Sequence, residues 1–87
     1  MNSKEIILHL MEMQNQSNAD LAGKLGIQAA TLWARFYGKN KHKDVTIPIF
    51  IQMLNALGYK LVVVPRTAKV QSDEYLVTVS SESDKSE

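Results

Sequence analysis

Cysteine is absent from the 87-residue chain. That excludes disulfides, thiolate metal sites and a cysteine nucleophile, and it accords with a reducing compartment. Acidic residues are missing from one long stretch. Between Leu21 and Lys43 the charged residues are Lys24, Arg35, Lys39, Lys41 and Lys43, with no Asp or Glu. No apolar run approaches the roughly 20 residues of a membrane span. Ile6 to Met11 is too short for the apolar part of a secretory signal and contains His9. The two histidines, His9 and His42, have no second ligand at metal spacing. Ser17, Thr31 and the carboxylates form no nucleophile–base set, and no glycine-rich phosphate loop is present. The expectation is a protein without metal, cofactor or enzymatic activity, located in the cytoplasm.

What is there suits one globular domain. Apolar residues make up 45% of the chain, and its length leaves little room for a second core. The net charge of +1 hides a division between a basic middle and an acidic end. From Asp73 onward, Asp73, Glu74, Glu82, Asp84 and Glu87 face Lys85 alone. A basic block in a near-neutral chain is what a nucleic-acid surface requires, although a merely solvated charged face has the same pattern.

Periodicity predicts four helices. The first spans residues 4–14, capped by Asn2 or Ser3, with Ile6, Leu10 and Met13 on a face that Ile7 and Met11 widen. The second spans 18–25, with Ser17 as N-cap, Asp20 in the first turn, and Leu21, Ala22 and Leu25 inward. Gly26 suits the left-handed residue that ends it, and Ile27 returns an apolar side chain to the core. The third spans 28–37, with Leu32 and Phe36 on one face and Gly38 at its end. The fourth spans 47–57, opened by Thr46 with Pro48 in the first turn, and carries more apolar surface than one stripe needs. Tyr59 to Val64 then reads as a strand stopped by Pro65, residues 74–80 as a second strand, and 81–87 as a disordered tail.

The second and third helices, joined at Gly26, have the pattern of a helix-turn-helix: small Ala22, the glycine corner, the Ile27 anchor, and apolar Leu32. Such a unit lays one helix across the phosphates and lets the next enter the major groove. The sequence Asp20-Leu21-Ala22-Gly23-Lys24-Leu25-Gly26-Ile27, followed by Thr31-Leu32 and Gly38-Lys39, resembles the phage repressor and Cro family of DNA-binding proteins. The run from Met53 to Pro65, MLNALGYKLVVVP, resembles a small phage-associated branch in which the last helix leads into a strand. The resemblance covers about residues 4–65.

It implies a mainly α, lambda-repressor-like bundle of about four helices, with a C-terminal strand or hairpin at 59–65 and 74–80. Residues 1–58 would be the DNA-binding domain and 59–80 the dimerisation segment. It further implies a dimeric, repressor-like regulator of transcription, encoded by a bacterium or phage and bound to double-stranded DNA. Gln28, Ala29, Ala30, Thr31, Trp33 and Ala34 would face bases. Ser17, Asn18, Arg35, Tyr37, Lys39, Asn40, Lys41 and Lys43 would hold the backbone. His42 lies in the same basic loop. The family often has arginine, glutamine or serine where this chain has alanine, so Gln28 is the clearest adenine reader. Arg35 stands where many members bury an aliphatic residue, and Phe36 takes that role.

Trp33 has three readings. It packs on the fourth helix or the loop, it lies against thymine methyls or the sugar wall of the groove, or it contacts another protein. A strand apolar on both faces leaves an open edge. Pairing of two chains would cover it through Leu61, Val62, Val63, Val64, Tyr75 and Val77; a hairpin folded back in a monomer is the other solution. The alternative function is a protein-interaction module with a degenerate helix-turn-helix, such as an antitoxin or the partner of another regulator.

Overall fold

The computed structural model describes residues 1–38 and 44–79. The residue 39–43 loop, the end of the expected second strand and the expected 81–87 tail lie outside the described residues. Four helices form: α1 (Ser3–Met13), α2 (Asn18–Leu25), α3 (Ala29–Tyr37) and α4 (Ile47–Ala56).

Their ends have local causes. Asn2 and Glu5 form a capping box on α1, and Ser17 and Asp20 form one on α2. In each, two N–H groups without intrahelical partners gain side-chain acceptors. Thr46 stands at the N-cap of α4 but makes no side-chain cap bond. Pro48 fits there because its first-turn position needs no donor. The three positive-φ residues among those described, Asn15, Gly26 and Gly58, each follow a helix end. Behind each, an N–H turns back to the last turn: Gln16 to the Met11 carbonyl at 2.8 Å, Ile27 to Ala22 at 3.0 Å, and Tyr59 to Leu54 at 2.7 Å. This is the left-handed helix stop, repeated three times.

The core joins Ile6, Ile7, Leu10 and Met11 of α1 to Leu21 and Ala22 of α2, Leu32 and Phe36 of α3, and Phe50, Met53 and Leu54 of α4; Leu57 completes it. Each large side chain buried this way contributes about 1.5–3 kcal/mol relative to exposure. α2 packs against both α3 and α4, and α1 packs against α4. Met13 departs from the expected face, being 59% exposed. At about 100° per residue, the buried arc of α1 centres between the Ile6–Leu10 and Ile7–Met11 lines, and Met13 lies about 90° from it. Ser3 falls on that centre. It is buried, and its hydroxyl accepts the Val45 N–H at 3.0 Å.

Beyond Gly58 no strand forms among the described residues. Residues 74–79 run beside the N-terminus. Asn2 and Thr78 make an isolated parallel bridge, the Thr78 N–H donates to the Met1 carbonyl at 2.8 Å, and the Met1 amine donates to the Leu76 carbonyl at 3.3 Å. Tyr75 anchors this arm. Its ring meets His9 and Tyr59 edge-on at 5.5 and 6.3 Å, and its hydroxyl donates to Met13 Sδ at 3.4 Å. The 59–65 and 74–79 segments do not pair with each other. No backbone hydrogen bond joins residues 60–64 to another described residue. Between the arm and Ile6, Leu10, Phe50 and Leu54 lies an open cleft of about 870 Å³.

Candidate nucleic-acid interface

The corner between α2 and α3 is set by backbone conformation. Gly26 has φ 74° and ψ 27°, and its own N–H bonds the Ala22 and Gly23 carbonyls. Ile27 follows, partly buried against the core. α3 therefore begins on a new axis within a few residues of the end of α2. Its inner face is narrow: Leu32 is fully buried and Phe36 is 1% exposed.

The rest of α3 is turned to solvent. Gln28, Ala29, Ala30, Thr31, Trp33, Ala34 and Tyr37 are all exposed, and Arg35 is half-buried. Every base-facing residue expected from the sequence thus lies on the open side of one short helix or at its N-cap. Gln28 occupies the N-cap of α3 without making a side-chain cap bond, which leaves its amide uncommitted to the helix. Trp33 and Tyr37, one turn apart, stand 53% and 50% exposed with ring centroids 5.3 Å apart. Trp33 is a partly solvated aromatic beside Tyr37 and not a core residue.

The expected phosphate-holding residues divide. Ser17 is exposed, with its hydroxyl accepting the Asp20 N–H at 3.0 Å and its own N–H donating to Asp20 Oδ2 at 2.9 Å. The Ser17 backbone N–H, and after it the Ser17 side chain, hold the Asp20 carboxyl below its ordinary value; burial acts against them and the Lys24 charge with them. Asn18 is half-buried and already engaged: its Nδ2 donates to the Ala29 carbonyl at 2.8 Å. Its Oδ1 is enclosed without a partner, as is Gln16 Oε1. Asn18 therefore ties the start of α2 to the start of α3, a role that sequence spacing did not signal. Lys39, Asn40, Lys41 and Lys43 lie outside the described residues.

Two further contacts brace α3 and its neighbour from α1. Lys4 Nζ donates to the Phe36 carbonyl at 3.2 Å, placing a cation at the C-terminal end of α3. Gln14 Nε2 donates to the Leu57 carbonyl at 2.7 Å and does the same for α4 without charge. Gln14, the C-cap of α1, continues the line of its buried arc, and a polar residue there signals a buried partner; no local pattern marks the Lys4 contact, whose partner lies 32 residues away. Of the residues expected at a dimer contact, Val62, Val63 and Val64 are 58%, 99% and 59% exposed and Val77 is 39% exposed. Leu61 and Tyr75 pack partly against their own core. Ile47 and Ile51, one turn apart on α4, also remain exposed.

Among the described residues no group of three or more His, Asp or Glu could hold a metal ion, and no helix is long and apolar enough to cross a membrane. No protein-family model, curated protein or solved structure matches this chain.

Proposed function

We propose that this chain is a sequence-specific double-stranded DNA-binding regulator of transcription that acts as a homodimer, with α3 as the helix that enters the major groove. The observation that carries this reading is the arrangement of α3. It is clamped by Leu32 and Phe36, set off from α2 by the left-handed Gly26, and open along the rest of its surface. A groove about 12 Å wide admits one such cylinder. The surrounding sequence supplies five cations and no acid from Leu21 to Lys43, which suits the phosphates on either side. The exposed Val62–Val64 stretch supplies the surface through which two copies pair, and pairing sets two α3 helices about 34 Å apart on a palindromic operator.

A second reading is favoured by one observation, the exposed Trp33–Tyr37 pair on a helix whose other outward residues include three alanines. There the same face would bind a protein partner, such as a toxin or another regulator. Selection of bound duplexes from a random pool separates the two. A DNA-binding regulator enriches a palindrome, whose binding is abolished by the triple substitution Lys39→Glu, Lys41→Glu and Lys43→Glu while dimer mass is kept. Absence of any enriched duplex at moderate salt assigns the face to a protein.

A further inference from the structure

The outward surface of α3 is short of the groups that usually read bases. Taking about 100° per residue and Leu32–Phe36 as the inward direction, Ala30 and Ala34 point outward. Tyr37 and then Trp33 flank them on one side, Thr31 and then Arg35 on the other. Ala30 and Ala34, both exposed, form the apex, with Cβ atoms about 5–6 Å apart on successive turns. A helix with methyls at its apex is thinner there than one with long side chains, so its axis approaches the floor of the groove more closely. Alanine side chains have no donor or acceptor, and the indole is a donor only. The apolar group that the bases display in the major groove is the C5-methyl of thymine. The methyl spacing on α3 lies between one and two base-pair steps of about 3.4 Å. Charge favours a polyanion, since cations alone flank this apolar apex in the sequence from Leu21 to Lys43.

Resting on the DNA-binding reading above, we propose that Ala30, Ala34 and Trp33 recognise adjacent thymine methyl groups, so that the operator half-site is a thymine-bearing A·T segment. Gln28, exposed and free of a capping bond, supplies the adenine hydrogen bonds at its edge. Discrimination is then by shape and apolar contact over most of the half-site, with one polar fix on register.

The test begins with the duplex selected by the full chain. In that duplex the central thymines of each half-site are replaced first by deoxyuridine, which lacks only the methyl, and then by 5-bromodeoxyuridine, whose bromine restores its bulk. Binding is read by mobility shift and by the emission of Trp33, the sole tryptophan. Loss of one contacted methyl weakens binding about fourfold, the transfer free energy of one buried methylene expressed as a ratio. Loss of two costs more than about tenfold, and bromine regains most of it. Equal binding to the deoxyuridine duplex overturns methyl recognition while leaving DNA binding intact. A loss that bromine does not repair overturns it as well, since it traces the effect to duplex stiffness. Failure to select any duplex overturns both this inference and the DNA-binding reading.

Discussion

At the scale of single residues, the sharpest constraint is Gly26. Its φ of 74° lies where a side chain is strained whatever the space around it, and an added Cβ would meet nothing within 4 Å. Gly26→Ala therefore isolates backbone strain from clash. We expect a loss of about 1–2 kcal/mol, which in a domain of this size lowers the thermal midpoint by about 4–8 °C per kcal/mol. Circular dichroism melting checks this. An unchanged midpoint would show that the corner relaxes to another conformation. Gly38 differs in kind: its backbone is ordinary, but an added Cβ would lie 2.5 Å from the Ala34 carbonyl oxygen. The sequence marks both glycines as helix ends; the tight approach at Gly38 is to the carbonyl four residues back and depends on the extended backbone Gly38 adopts, which residue spacing does not reveal.

At the scale of elements, α2 depends on the Ser17–Asp20 box. The Asp20 carboxyl titrates below its ordinary value in the folded chain because Ser17 donates to the charged form. The unfolded chain therefore takes up this proton more readily. The box contributes its full stability above the ordinary value near 3.8 and loses it as pH falls through the lower folded value. Asp20→Asn should make stability less sensitive to acid over that window. Urea unfolding midpoints measured for both proteins at stepped pH test it, and parallel curves would count against the box. The bounds of α2 follow directly from sequence signals, Ser17 before it and Gly26 after it. Those of α1 and α4 came out within a residue or so for the same reason, since caps act over one turn. Met13 departs from its expected face because a spacing of seven identifies a line on a helix, whereas the centre of the buried arc depends on which neighbour packs there. The Asn18–Ala29 and Lys4–Phe36 bonds were illegible for a related cause, as their partners lie 11 and 32 residues away.

At the scale of the whole molecule, apolar surface remains that one chain does not cover. Val62, Val63 and Val64 stand exposed on a backbone whose residues 60–64 make no hydrogen bond to another described residue. If two chains pair here, Val63→Lys should shift the mass in solution from two chains to one. The fold should survive, because Val63 is 99% exposed in the single chain. Multi-angle scattering gives the mass and circular dichroism the fold. A mass unaffected by the substitution would move the contact elsewhere, with the exposed Ile47–Ile51 face as the next surface to probe. DNA affinity should fall with the dimer, because two linked half-sites bind far more tightly than one.

The sequence by itself determined where helices begin and end, which side chains enter the core, Met13 and Ser3 apart, and that the middle of the chain is basic. Those properties depend on residues within a turn or two of one another, and local chemistry settles them. Only the tertiary structure decided that Trp33 is left half-exposed beside Tyr37, that Asn18 is used to brace α3, and that residues 74–79 lie beside the N-terminus instead of beside 59–65. Each of these is a choice among partners distant in the chain, and the choice is made by how four helices share a single core.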